Sequence, residues 1–318
     1  GLRNLAISDI LWMSSDPLQF LFRPAFYDIL IAEQITQEGK GYSAENPFAS
    51  RDADVFAYSP DEFIQRMGQL RFDDTVKRHV IHLYQEWLEY NRTSPGSYYF
   101  IESLARKYCF ELTQMAIERP EDWLKKYEQY LEAGTKSAYM GVKAYAVYQL
   151  CLIWNQQSKK YCPEFDYSSY SYRNEPGREF DTSYQYQGVK AMQLFRNNIQ
   201  VLDSFNYLKK ILLRMEEQLK QAETEIRMEE FSLPGKPILA EFRFRNTDTL
   251  YYRIMKSSYR QFFYYKNQKE YLSQVLGLPP VREEITALPS LKDYNRHISY
   301  LKLEALPAGF YYLVFSGR

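Results

Sequence analysis

The chain has 318 residues, long enough for two domains that each bury a core. Its 40 basic and 40 acidic side chains cancel, which argues against a broad electrostatic attraction to nucleic acid or an anionic membrane. Hydrophobic and charged fractions of 45% and 25% are ordinary for a globular protein, and three cysteines are too few for a disulfide-built scaffold. The unusual figure is 30 Tyr beside 20 Phe. Tyr joins a large apolar body to a polar tip, so it suits helix packing and wet interaction surfaces alike.

The early chain reads as helix. Ile7 to Met13 is an apolar helix-like run, Pro17 to Pro24 is extended or turn, and Phe26 to Gln34 resumes a helical pattern. Gly39 to Asp54 reads as an exposed loop. Ser59-Pro-Asp-Glu62 is a helix start: a capping hydroxyl, a proline in the first turn, then acids at the positive end of the dipole. Thr75 to Tyr90 has Val76, Val80, Leu83, Trp87 and Leu88 near one stripe, and Ser94-Pro-Gly-Ser97 is expected to end it. Further helices are expected over Tyr98–Ile117, Trp123–Leu131, Ser137–Lys160 and Gly188–Asn198. Asp203-Ser204 is the expected cap of the next, with a stripe from Tyr207 to Leu219. Helix–turn–helix pairs mixing small and large aromatic residues are the pattern of an α-solenoid or tetratricopeptide-like array.

Cys162 to Tyr186 interrupts this region with Tyr, Ser, Asn and Asp. Its polarity allows disorder, while its aromatic content favours a loop packed on the helices. Tyr167, Tyr170 and Tyr172 form its candidate interaction surface for a peptide or glycan.

From Leu233 the period changes from helical to alternating. Ile238, Ala240, Phe242 and Phe244 share one face, and Leu239, Glu241, Arg243 and Arg245 the other. Asn246-Thr-Asp248 is a turn before a second strand, Leu250–Met255, and the pair reads as the first hairpin of a β-sandwich. Arg243, Arg245 and Arg253 read as its solvent side or its contact with helices. Ser257 to Leu276 is ambiguous, with strand-like aromatics first and helix in its second half, stopped by Gly277. Strands follow over Val281–Leu288, over Leu291–Leu303 at least from Arg296 onward, and over Phe310–Ser316. The domains are therefore placed at 1–222, helical, and 223–318, an antiparallel β-sandwich.

Catalytic patterns are missing from the sequence. It contains no Gly-x-Ser-x-Gly elbow, Walker loop or dinucleotide fingerprint, so no enzyme, catalytic residue or cofactor is expected. His79 and His82 are spaced to meet one metal, but a packed or solvated pair is the reading preferred, with Glu86 nearby. His297, alone in a strand, is expected to be exposed. Trp12, Trp87, Trp123 and Trp154 read as core. Cys109, Cys151 and Cys162 read as isolated thiols, although a bend could pair the last two. No apolar run is long enough to span a membrane, and the start Gly-Leu-Arg-Asn reads as an excised boundary.

Stretches at three places in the chain carry a resemblance. Leu233-Pro-Gly-Lys-Pro, Phe242-Arg-Phe-Arg-Asn246 and Leu250-Tyr-Tyr-Arg-Ile254 resemble the start of a macroglobulin (MG) domain in bacterial alpha-2-macroglobulin-like proteins. Leu306-Pro-Ala-Gly-Phe-Tyr-Tyr-Leu-Val-Phe-Ser316 resembles the closing strand of such a domain. Leu21-Phe-Arg-Pro-Ala-Phe-Tyr-Asp-Ile-Leu30 is similar to a segment of the helical region before it. The resemblance implies an amino-terminal piece of a long periplasmic or cell-surface protein concerned with protease trapping or envelope defence. Its partners would be further domains of the same chain and, in the full-length protein, proteases. That family's reactive thioester motif, Cys-Gly-Glu-Gln, is absent here, so no reactive residue carries over.

Overall fold

The structure is a computed structural model that describes residues 25–39, 58–67, 75–114, 120–161, 182–229, 232–261 and 271–317. It divides into two compact units, residues 1–153 with 191–214, and residues 154–190 with 215–318. The helical stretch of the chain runs to Lys220 and the strands begin at Glu223, with the short helix Tyr271–Leu276 set among them.

The helices are α1 (Phe26–Gly39), α2 (Pro60–Met67), α3 (Thr75–Tyr90), α4 (Pro95–Gln114), α5 (Pro120–Gly134), α6 (Met140–Ser158), α7 (Gln187–Asn197), α8 (Ile199–Asp203) and α9 (Asn206–Lys220). Local chemistry sets their ends. Ser59 and Glu62 form a reciprocal capping box: the Glu62 carboxylate accepts from Ser59 N–H at 3.0 Å, and Ser59 Oγ accepts from Glu62 N–H at 3.4 Å. The Ser94–Ser97 segment starts a helix instead of only ending one. Pro95 takes the first position of α4, where its missing N–H costs nothing, and Tyr98 N–H bonds the Ser94 carbonyl at 2.9 Å. Asp203 ends α8 and receives Lys209 Nζ at 2.5 Å; it does not cap α9.

In the first unit α1, α2 and α4 pack on α3, and α5 packs on α4. Val80, Ile81, Trp87 and Leu88 of α3 meet Ile31, Phe63 and Ile101 in one core. A buried carboxylate ties this core together. Asp28 accepts from Ala25 N–H (2.6 Å), Trp87 Nε1 (2.7 Å) and Asn91 Nδ2 (2.8 Å). A second buried charge lies on α4, where Arg106 Nε donates to Glu102 at 2.6 Å. Arg106 also donates to the Tyr58 carbonyl at 2.8 Å and lies over the Phe63 ring at 4.5 Å. Trp87 and Trp154 are buried, as are the free thiols Cys109 and Cys151; Cys151 donates to the Ala191 carbonyl at 3.3 Å. Trp12, Cys162 and the Trp123 side chain lie outside the described parts.

The strands are β1 (Glu223–Met228), β2 (Ile238–Arg245), β3 (Thr249–Ser257), β4 (Pro280–Ala287), β5 (His297–Leu303) and β6 (Phe310–Gly317), with a short helix α10 (Tyr271–Leu276) before β4. They form two antiparallel sheets, ordered β1-β2-β5 and β4-β3-β6. Phe242, Phe244 and Ala240 of one sheet face Leu250, Tyr252 and Ile254 of the other, and the Phe242 and Phe315 rings meet edge-on at 6.0 Å. The alternation read in β2 is thus the division between core face and polar face.

The β2–β3 connection is not a hairpin, because the two strands belong to different sheets. Asn246, at φ 52°, turns the chain across, and its Nδ2 bonds the Leu219 (2.6 Å) and Gln221 (3.1 Å) carbonyls at the end of α9. A two-residue hairpin turn would have returned β3 beside β2, whereas this corner sends it to the facing layer. A second turn uses Pro234 and Gly235 (φ 72°), with Lys236 N–H bonding the Leu233 carbonyl at 3.2 Å, the residue pattern of a type II turn. In the ambiguous stretch after β3, Ser258 and Gln261 form a capping box that opens a helical turn. Phe262 to Tyr265 lie outside the described residues.

Candidate functional site

A cleft of about 350 Å³ opens at one end of the two-sheet unit. One wall is the corner Asn246–Asp248, and the other is the loop that joins β4 to β5, from Pro289 to Asn295. Its floor holds Phe244 and a polar network around Asp293, which is only 2% exposed.

Asp293 Oδ1 lies 2.8 Å from His297 Nε2 and accepts from Asn295 N–H at 3.0 Å, while Oδ2 accepts from Gln185 Nε2 at 2.9 Å. Asn295 Nδ2 donates to the Gln185 carbonyl at 2.7 Å. An ionised carboxylate offers only acceptors, so Nε2 is the protonated nitrogen of His297. Burial pushes the Asp293 carboxyl up, but the bonds from His297, Asn295 and Gln185 outweigh it and hold the group at about 2, below its ordinary 3.8. The network fastens the 3₁₀ turn Thr182–Tyr184 and the following Gln185 to the β4–β5 loop.

His297 is therefore not the exposed strand residue expected. Its side chain is 12% exposed and bonded to a buried acid. Strand parity contains the reason: His297 has the same parity as Leu301 and Leu303, which face the core, so period two turns it inward. Asp293 and Asn295, four and two residues earlier, carry no motif that singles them out in the sequence. The alternating polar pattern Asp293-x-Asn295-x-His297 was the available signal. Gln185, over a hundred residues away, had none.

Elsewhere the candidate ligands stay apart. His79 lies 3.4 Å from Glu38, and His82 lies 3.4 Å from Glu86, both on exposed helix surface. Among the described residues no group of three His, Cys, Asp or Glu is placed to hold a metal ion. Tyr167, Tyr170 and Tyr172 lie outside the described residues.

The three strand arginines divide. Arg243 is buried and bonds Glu241 at 2.6 Å, Arg245 pairs with Glu223, and Arg253 meets Glu283 across the other sheet at 2.6 Å. Arg296 also reaches Glu223, at 2.8 Å, so one acid serves two guanidinium groups on the outer face of the first sheet.

No described helix is long and apolar enough to cross a membrane. No protein-family model matches the chain, and no curated protein matches it.

Proposed function

We propose that this chain is a non-catalytic scaffold and interaction segment of a larger bacterial alpha-2-macroglobulin-like protein of the periplasm or cell surface. In that reading the two-sheet unit is a macroglobulin-type sandwich, and the helices before it form a tetratricopeptide-like array. Its partners are further domains of the same chain and, in the full-length protein, proteases.

The observation that carries this reading is where the resembling segments lie. Phe242, Phe244, Leu250, Tyr252 and Ile254 are core residues shared by the two sheets. Gly235 N–H, in the first segment, bonds the carbonyl of Leu306, which opens the last, at 3.0 Å. Tyr311 Oη in turn donates to the Pro307 carbonyl at 3.1 Å. In the helical region, Asp28 of the Leu21–Leu30 stretch is the acceptor for Trp87 and Asn91. The described residues that suggest the family are thus packed or bonded parts of the fold, as a repeated structural module requires.

Two measurements test it together. The coding sequence past Arg318 is expected to continue into further alternating-strand domains, and a stop codon there would overturn the family assignment. The purified chain, added to trypsin or subtilisin with a large protein substrate, is expected to leave proteolysis unchanged. Inhibition by the chain alone would overturn the scaffold role, whatever lies downstream.

A further inference from the structure

We propose that the cleft at the end of the two-sheet unit binds a short saccharide, with the Tyr294 ring as its stacking platform. The described non-glycine residues with a left-handed backbone are Asn246 (φ 52°), Lys292 (φ 51°) and Tyr294 (φ 62°), and all three line this cleft. Asn tolerates that conformation, but Lys and Tyr are disfavoured there because Cβ crowds the neighbouring carbonyl. The backbone shape itself has a structural use, since it turns Asp293 inward between the two residues. Glycine would supply the same shape without strain.

The structural use leaves the side chains at 292 and 294 unexplained. Neither makes a hydrogen bond, ion pair or ring contact with another described residue. Strain that persists without an internal partner is a pointer to function. The half-buried Tyr294 ring stands in a cleft whose rim carries the Asn246 amide, the Asp248 carboxylate and the Ser290 hydroxyl. The Asn246 amide oxygen and the Asp248 carboxylate accept hydrogen bonds and the Ser290 hydroxyl both donates and accepts, while Lys292 set against Asp248 and the ionised Asp293 leaves no surplus of cations.

That chemistry matches a sugar, which presents an apolar C–H face to an aromatic ring and a rim of hydroxyls to amides and carboxylates. A phosphate-bearing ligand would meet Asp248 without a matching cluster of cations. The cavity is at the small end of the roughly 300–1,000 Å³ range of ligand pockets, which limits the occupant to a short saccharide. The proposal does not depend on the scaffold reading.

Saturation-transfer NMR on the full chain tests it, using glucose, maltose, N-acetylglucosamine and chitobiose singly at millimolar concentration, with glycyl-tyrosine as the competing chemistry. Transfer to the ring protons of at least one sugar is expected. It should vanish in Tyr294→Gly, whose melting temperature should equal or exceed that of the wild type because glycine relieves the strained backbone. Asp248→Ala should weaken the transfer several-fold without lowering the melting temperature. Transfer to no sugar, transfer to the dipeptide alone, or transfer unchanged in Tyr294→Gly would each overturn the proposal. So would a lower melting temperature in Tyr294→Gly, since the ring would then be supporting the loop.

Discussion

Asp293 and Glu102 are both buried acids, yet their surroundings push them in opposite directions. Burial dominates at Glu102 and raises its carboxyl, with Arg106 pulling the other way. At Asp293 three hydrogen bonds overcome burial and depress the carboxyl to about 2. A depressed folded-state carboxyl favours the ionised form more strongly in the folded chain than in the unfolded one. Its stabilisation is therefore complete above the ordinary 3.8 and is lost as pH falls through about 2. Glu102 has the reverse sign: its contribution is present below its ordinary 4.5 and declines as pH rises through its raised folded value. Replacing Asp293 by Asn removes the titrating group while nearly keeping its shape. Thermal melts should show the variant less stable at neutral pH, with the gap to wild type closing as pH drops from about 4 to about 2. Two parallel curves across that window would mean that the carboxylate's charge does not hold the loop.

Strand β6 closes the two-sheet unit at a glycine. A Cβ built on Gly317 would lie 2.5 Å from Thr224 Cγ2 of β1 and 2.6 Å from Thr247 Cγ2 of the corner. Both neighbours are stiff β-branched side chains, and Thr247 is itself buried. Gly317→Ala must therefore push β6 away from β1, at a cost of about 1–3 kcal/mol. Urea denaturation would register this as a lower midpoint with an unchanged slope; an unchanged midpoint would mean that the strand end yields freely. Nothing in the sequence marks Gly317, because its role depends on Thr224 and Thr247, 93 and 70 positions away. The legible features were local ones. Alternation in Ile238–Arg245 fixed a strand and its core face, and the Ser59-Pro-Asp-Glu62 signature fixed a helix start. What failed was long-range pairing. A short turn after β2 predicts a hairpin on local chemistry alone, whereas the corner at Asn246, bonded to the end of α9, leads β3 into the other sheet. The cleft was hidden for the same reason, since Gln185 and Asp293 meet only after folding.

Across the whole molecule, 40 basic and 40 acidic side chains give a pI near 7.0. Many of these charges are answered nearby, as in Arg245–Glu223–Arg296, Arg227–Glu225 and Arg282–Glu304. Pairs that keep contact with water, as these do, contribute about 0–1 kcal/mol each, so they do little to hold the fold. Their larger effect is to cancel the field that would otherwise keep copies of the chain apart. Solubility should pass through a minimum near the isoelectric point, and the shape of that minimum is also determined. The sequence has only three histidines, so net charge stays small from about pH 6 to pH 8 before carboxylates protonate on one side and amines lose protons on the other. The expected trough is therefore broad and flat. Precipitation by polyethylene glycol, measured at matched ionic strength across this interval, would display it directly. A solubility that changes steadily in one direction would show that a local patch, and not the balanced net charge, governs association between copies of the chain.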